Sequence, residues 1–575
     1  MKRRTISTLA AGTTAVLALG VAAATAVPMG FTQDRSAELA QQINPAKPKS
    51  VILIIGDGMD DSMITAARNY SLGAGGRFNL DSLPFTGAMT TYGLKTGTNP
   101  ADYPIAYVSD SAPTASGWST GKKTVDGRVS QGPSVDNATP GEDYETVLEQ
   151  FKKDGKLTGN VSTAEITDAT PAAAASHINA RACQGPADMS ACQAELKSVG
   201  GLGSISEQLV DNKIDVILGG GRSRFTQATP LADGSANVLD YATTKKGYRS
   251  VGTAAELDAV TNLSGGPVLG LFTGGNMTPK YQPLVATAPP GSGSNAQRCQ
   301  AADRGTQPSL AAMTKKAISL LDNPKGFFLQ TESAMIDKQE HSADICGAIG
   351  DLEELDATVK VALDYQKANP DTLVIVTGDH SHSTQIVGGN GDGRQTATVL
   401  TADGDPMTVA YSTSASGSNH TGAQIRVAAI GPQAANVTGV IDQTDLFNTM
   451  MGRTPSTLPT QPTATATTTV TATPSPTTPA PTSTPTSTPA EKPAIWLASP
   501  KKVARGAQTW ISVTVADATN VKVRIKQGKN TTVRKVSDTG GSVKLPKLGK
   551  GKVQITVVAK GEGGRSTTTR TLTVR

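Results

Sequence analysis

A chain of 575 residues is too long for one simple core, so two or more domains are expected. Its net charge of +5 conceals an asymmetry: residues 491–575 carry 18 Lys and Arg against 4 Asp and Glu, a net of +14, which leaves −9 for the remainder. No stretch beyond the N-terminal apolar run is long and apolar enough to span a bilayer, which excludes an internal transmembrane anchor.

Lys2, Arg3 and Arg4 precede an apolar run over about residues 9–27, and Ala24-Thr25-Ala26 has the small-x-small form of a cleavage site. Residues 1–26 therefore read as a secretory signal peptide; for a membrane anchor the run is short and rich in Gly and Ala. The Arg pair leaves a twin-arginine export route open, with little support from its flanks.

Val51-Ile52-Leu53-Ile54-Ile55 is a continuous apolar run ending in Gly56-Asp57-Gly58. A strand buried on both faces looks like this and suits a parallel sheet covered by helices. Similar strands are expected at 157–162, 214–218, 326–330, 372–376 and 424–430, with helical stretches between several of them, such as 352–366. The alternation predicts an α/β sandwich with a largely parallel sheet, whose ligands bind beyond the carboxyl ends of strands. Those ends carry Asp57, Asp110-Ser111, Glu332 and Asp379-His380. Residues 219–304 are rich in Gly, Ser, Pro and Thr and read as an excursion above the sheet. Residues 454–490 are almost wholly Pro, Thr, Ser and Ala, an extended linker open to O-glycosylation. Beyond it, alternating runs at 510–515, 521–525, 553–558 and 567–574 predict a small basic β-sandwich, immunoglobulin-like, over 491–575.

The segment 108–116 reads as a strand end turning into a helix, with Ser111 in the first turn and Pro113 tolerated there. A hydroxyl at that place is an N-cap, or a nucleophile among free N–H donors that favour an anion. The histidines help to decide, because there are five. Asp337 and His341, four apart, share one face of a helix, an arrangement that suits zinc. Asp379, His380 and His382 follow a buried strand, and His420 lies in Asn419-His420-Thr421-Gly422. His177, in an Ala-rich stretch, reads as structural. Asp57, Asp168, Thr170 and Glu332 add hard oxygen donors that suit magnesium. Arg181, set among small residues, is a surface charge or a fork for phosphate oxygens. Four cysteines in an exported chain suggest disulfides; Cys183 with Cys192 would close a short loop and Cys299 with Cys346 a longer one. The alternative is a metal site, although no CxxC spacing occurs.

Ile55-Gly56-Asp57-Gly58-Met59, Asp110-Ser111-Ala112, 162–172, 336–341, 377–382 and His420-Thr421-Gly422 together resemble, in order, the bacterial alkaline phosphatases, over roughly residues 48–452. The resemblance implies a homodimeric, secreted or periplasmic phosphomonoesterase acting through a phosphoserine, with two Zn²⁺ and one Mg²⁺ per subunit. It implies that Asp337, His341 and His420 hold one zinc, and Asp379, His380 and a bridging Asp57 the other. Asp57, Thr170 and Glu332 would hold magnesium, with Asp168 and Lys338 ordering its water shell. Ser111 would be the nucleophile beside Asp110, Arg181 the phosphate clamp, and His382 a residue behind the zinc ligands. The implied disulfides are Cys183–Cys192 and Cys299–Cys346. Asp60 departs from the family's usual Gly, close enough to Asp57 to alter metal affinity.

Three other readings compete with this resemblance. Ser111-Ala112-Pro113 is similar to the start of a sulfatase modification motif, but Ala115 stands where its Arg is needed. A phosphodiesterase of the same superfamily generally lacks the third metal site and the arginine that Glu332, Thr170 and Arg181 imply. A non-catalytic metal-binding cell-wall protein would have lost the nucleophile or a zinc ligand, and none is missing. The basic C-terminal module is expected to hold the chain near acidic polymers, such as anionic cell-wall polymers (wall teichoic acids) or extracellular DNA, or to be a soluble spacer with a charged face.

Overall fold

The computed structural model describes residues 34–453 and 492–575 apart from 100–102, 229–230, 232, 289–295, 389–392, 414–417, 500–501, 507–508, 517, 538–539 and 562–563. The expected signal peptide, 1–26, and linker, 454–490, lie outside the described residues. The chain divides into two units, the first ending at Pro459.

The first unit is built on ten strands: β1 (Ser50–Gly56), β2 (Phe85–Thr90), β3 (Leu157–Glu165), β4 (Val216–Gly220), β5 (Arg249–Val251), β6 (Val268–Leu271), β7 (Phe327–Ser333), β8 (Thr372–Gly378), β9 (Ile425–Ile430) and β10 (Gly439–Asp442). They form one sheet in the order β10-β2-β9-β8-β1-β7-β3-β4-β6-β5. Only β9 runs against its neighbours; the other nine point one way. The largely parallel sheet expected from the α/β pattern is therefore present, with one reversed strand.

Alternation of side chains explains why β1 is central. Ile52 and Ile54 enter one core, Val51, Leu53 and Ile55 the other, and all five are fully buried. On the first face they meet Leu352, Leu355 and Val359 of the long helix Ile345–Ala368. On the second they share a core with Ala112, Ala115 and Trp118 of Ser111–Thr120. Each buried aliphatic side chain is worth about 1.5–3 kcal/mol, and a polar substitution in this run has no solvent face to turn to.

Residues 219–304 correct the sequence reading. They supply β5 and β6, two strands at one end of the central sheet, while Thr287 and Gln297 bridge instead to the strand Thr396–Leu400 of a separate sheet. Val268-Leu269-Gly270-Leu271 is too short to show a period, and its glycine reads as a breaker. Gly270 is there for close packing: a Cβ would sit 2.7 Å from Leu218 Cδ2. The disulfide Cys299–Cys346 ties the end of this segment to the first turn of Ile345–Ala368, and Cys183–Cys192 closes the short loop. A separate antiparallel sheet of Thr384–Val387, Pro406–Tyr411 and Thr396–Leu400 lies between β8 and β9 in the chain.

The C-terminal unit has β11 (Ala494–Ala498), β12 (Lys502–Val503), β13 (Trp510–Ala516), β14 (Asn520–Gln527), β15 (Asn530–Val536), β16 (Gly540–Lys544), β17 (Gly551–Gly561) and β18 (Gly564–Val574). They form sheets β11-β13-β16 and β12-β18-β17-β14-β15. Leu497, Ile511, Val513 and Val543 from the first share one apolar core with Val523, Ile525, Ile555 and Val557 from the second. Two sheets over one core, with this strand order, make an immunoglobulin-like sandwich. Among the described residues no helix is long and apolar enough to cross a membrane.

Candidate active site

The carboxyl ends of β1, β7 and β8 lie side by side, Gly56 opposite both Ser333 and Gly378. Asp57 follows β1, Asp379 and His380 follow β8, and Glu332 is inside β7 opposite Ile55. The turn after Asp57 requires glycine: Gly58 has φ +72°, and a Cβ there would lie 2.9 Å from Glu340 Oε2. Its N–H donates to Asp379 Oδ1 at 2.9 Å, and the His380 N–H donates to the same oxygen at 2.7 Å. One carboxylate thus joins two strand ends.

Ser111 opens the helix Ser111–Thr120, whose ten residues are all buried. Asp110 and Ser111 do not follow a strand of the central sheet, as the sequence reading expected. They follow Ile105–Ala106, a two-residue strand paired with Gly93–Leu94. Asp110, not Ser111, is at the N-cap position, and its side chain turns away to receive Arg181 Nη1 and the Gly127 N–H. Ser111 Oγ is left 3.3 Å from His380 Nε2 and 3.5 Å from Asp57 Oδ1.

Four of the five histidines converge on Asp337, which is carried with His341 by the helix Met335–His341. Asp337 Oδ1 is 3.2 Å from His420 Nε2, 3.3 Å from His382 Nε2 and 3.5 Å from His341 Nε2, yet it is aligned for a hydrogen bond with none of them. Their other ring nitrogens set the tautomers. Nδ1 of His420 faces Ser109 O at 3.0 Å, that of His380 faces Ser381 O at 3.3 Å, and that of His341 faces Ser418 O at 3.4 Å. A carbonyl only accepts, so each of these rings carries its proton on Nδ1 and offers a lone pair at Nε2. His382 is the reverse. Its Nδ1 accepts the Ser383 N–H at 2.8 Å, so the ring proton is on Nε2, beside Asp337. Geometry alone groups His382 with Asp337, His341 and His420, and separately groups Asp57, Asp337 and His380. Asp379 stands outside both groups, although its Oδ2 is buried, without a hydrogen bond, and 3.3 Å from His380 Nε2.

The electrostatics are those of a cation site. Burial, then Asp337, Asp379 and Glu332, holds the Asp57 carboxyl well above the usual range. Burial pushes Glu332 up to about 8 and, with Asp337, Asp379 to about 6. Burial and then His420 hold the His380 imidazole far below its ordinary pKa, so it is neutral, the form that ligates metals. Burial brings His382 down to about 3. Burial works against an ionised Asp337, but the imidazoles around it bring it below the carboxylate range. So many carboxylates resisting ionisation together, facing lone pairs at Nε2, fit bound divalent cations.

Beside these groups Arg181 Nη2 donates to Asp168 Oδ1 at 2.6 Å, and Lys338 Nζ to Asp168 Oδ2 at 2.6 Å. Burial opposes the charge on all three, and the pairing overrides it: Asp168 falls below its usual range while Arg181 and Lys338 rise. Asp168 also caps the helix Ala169–Ala173 through the Ala169 N–H, which brings the buried Thr170 beside Glu332.

The family profile described as alkaline phosphatase matches residues 48–416. The chain is 45% identical over 426 residues to alkaline phosphatase H of Pseudomonas aeruginosa (73% of this chain, 87% of that one), and 44% identical over 438 residues to the alkaline phosphatase of Escherichia coli (73% and 89%). The chain belongs to the alkaline phosphatase family. Among solved structures, the cold-active alkaline phosphatase of a Shewanella species shares the fold, at 23% identity and a TM-score of 0.52 over 71% of this chain and all of that one. The protein is accordingly a phosphomonoesterase of a metal-dependent family.

In this alkaline phosphatase several site residues carry no local sequence signal. Ser162 Oγ donates to Glu332 Oε2 from the adjacent β3. Asp351, pushed up to about 6 by burial, receives Ser333 Oγ at 2.5 Å and the Met335 N–H at 3.0 Å. It thereby holds the turn that presents Asp337. Asp60 does not face Asp57. Its Oδ1 caps Asp61–Leu72 through the Met63 N–H at 2.9 Å, and its Oδ2 receives Ser381 Oγ at 2.6 Å. Through Ser381 it supports the segment between His380 and His382. His177, read as structural, is hydrogen-bonded to Glu149 and Ser130 away from the cluster.

Proposed function

We propose that this chain is a secreted alkaline phosphatase that hydrolyses phosphate monoesters through a phosphoserine at Ser111, with two zinc ions and one magnesium ion per subunit. The observation that carries the reading is the placement of Ser111 Oγ at a helix N-terminus, 3.3 Å from His380 Nε2 and 3.5 Å from Asp57 Oδ1. Asp337, His341 and His420 would hold one zinc, Asp57, Asp379 and His380 the other. Asp57, Thr170 and Glu332 would hold magnesium, with Asp168 and Lys338 around its water shell. The tautomer of His382, with its ring proton on Nε2, argues against a role as a ligand. When bound, the ions supply Lewis-acid charge to the nucleophile and the leaving oxygen.

The residues do the rest. Arg181, oriented by Asp110 and Asp168, retains N–H groups for two non-bridging phosphate oxygens. Free N–H groups at the start of Ser111–Thr120 favour the same anion. Ser111 Oγ bonds to phosphorus as the ester oxygen leaves with its alcohol. Water then takes the phosphoryl group from Ser111, releasing inorganic phosphate and restoring the hydroxyl.

Acid-quenching the loaded enzyme with p-nitrophenyl phosphate should trap phosphate on Ser111, and Ser111→Ala should trap none. Full turnover by Ser111→Ala would overturn the route. Export is supported by the signal-peptide sequence and by two disulfides; the mature N-terminus of the exported chain tests it. A homodimer, implied by the family resemblance, is tested by sedimentation. The basic module is proposed to hold the enzyme near anionic wall polymers.

A further inference from the structure

Register within the C-terminal sandwich gathers its charge on one surface. Val521, Val523 and Ile525 of β14 point into the core, so Lys522, Arg524 and Lys526 point outward, all exposed. Residues directly opposite in neighbouring strands share a face. Lys522 is opposite Lys535 of β15, and Asn520 is opposite Lys560 of β17, which in turn is opposite Arg565 of β18. Lys522 with Lys535 and Lys560 with Arg565 thus form two cross-strand cation pairs on this face, while Arg524 and Lys526 lie beside Thr556 and Gln554, with Thr569 and Thr571 one strand further.

Two features separate this face from an ordinary solvated one. Like charges stand directly opposite each other twice, Lys522 against Lys535 and Lys560 against Arg565, an arrangement that destabilises a sheet. The module's sequence sets 18 Lys and Arg against four acidic residues. Lysines that merely block edge-to-edge pairing belong on an edge strand. Lys522, Arg524 and Lys526 are on β14, flanked by β15 and β17.

We propose that the outer face of β12-β18-β17-β14-β15 is a binding surface for a phosphodiester polyanion, centred on Lys522, Arg524 and Lys526. This deepens the tether reading given above and rests on it. Lys and Arg supply charge-assisted donors to phosphate oxygens, and the threonine hydroxyls supply neutral ones. A repeating anion would relieve both like-charge pairs at once. The segment 454–490 has no charged residue, so the cationic sequence is set apart from the acidic one.

The test uses the full chain on immobilised poly(glycerol phosphate), with retention measured against salt. The triple variant K522Q/R524Q/K526Q should lose retention on the order of a hundredfold at low salt. Its slope of log affinity against log salt should be shallower by about 2. The control R505Q/K547Q/K550Q removes the same charge from exposed connections and should lose about threefold at most. Both variants should keep p-nitrophenyl phosphate turnover, which certifies their fold. Equal losses in the two variants would overturn the face while leaving a diffuse charge tether. Failure of the unmodified chain to bind would overturn the tether itself, and equal retention on a sulfated glycan would overturn the phosphodiester assignment.

Discussion

The two units use ionisable side chains in opposite ways. At the strand ends of the first, Asp57, Glu332, Asp337, Asp379 and His380 are each no more than 5% exposed. On the five-stranded sheet of the second, Lys522, Arg524 and Lys526 are in water. Burial makes the first set strongly interacting: its carboxyls and imidazoles shift one another and call for cations. Exposure makes the second set weak individually, so that it acts by number and is screened by salt. Chemistry belongs to the first arrangement, and the proposed adhesion would belong to the second.

The largest expected effect would break the contrast at its root: Ser111→Ala should lower turnover on the order of a thousandfold or more. Arg181→Ala should cost about a hundredfold, with Arg181→Lys recovering little, because a point charge does not replace a fork; steady-state kinetics on p-nitrophenyl phosphate check both.

Metal removal sharpens the comparison through pH. Glu332 at about 8 and Asp379 and Asp351 at about 6 bind protons more tightly folded than unfolded. Their stabilisation is therefore complete below the ordinary carboxylate range and is lost as pH rises through about 6 and then about 8. Chelator-stripped protein should melt several degrees lower at about pH 9 than at about pH 5, a difference of a few kcal/mol, while the loaded protein should not. Parallel profiles would show that cations do not neutralise these groups.

Asp60→Gly weakens a helix cap by only about 0.3 kcal/mol, because Gly is itself a tolerated N-cap, and removes the support of Ser381. Zinc retention against a chelator should fall by up to about tenfold, with Asp60→Asn in between. The smallest effect is expected where charge is solvated. Lys535→Glu turns a like-charge pair with Lys522 into an opposite one and should raise the melting temperature of the C-terminal unit by about 2 °C.

Legibility in the sequence followed burial and chain distance. β1 was readable because both its faces are buried, which forces an unbroken apolar run. β2 was not, because Gly87 reads as a breaker; it is there for close approach, since a Cβ would lie 1.9 Å from Val437 O. Cys183 with Cys192, nine residues apart, and Asp337 with His341 are local enough to read directly; Cys299 and Cys346 are 47 residues apart, and their pairing was implied by the family resemblance. The contact of Asp60 with Ser381 spans 321 residues, and nothing near either one announces it. Asp110 and Ser111 were expected at the end of a sheet strand because a small-residue run into a helix looks the same wherever its preceding strand pairs.

By itself the sequence determined which groups are present: a hydroxyl opening a helix, carboxylates and imidazoles after apolar runs, and a basic alternating tail. Only the tertiary structure decided how they face one another. It put the lone pair of His380 and His420 toward Asp337 and the proton of His382 there instead, through oxygens and an N–H supplied by their surroundings. It also put Lys522, Arg524, Lys526, Lys535, Lys560 and Arg565 on one face, because strand register, unlike composition, says which residues are opposite neighbours.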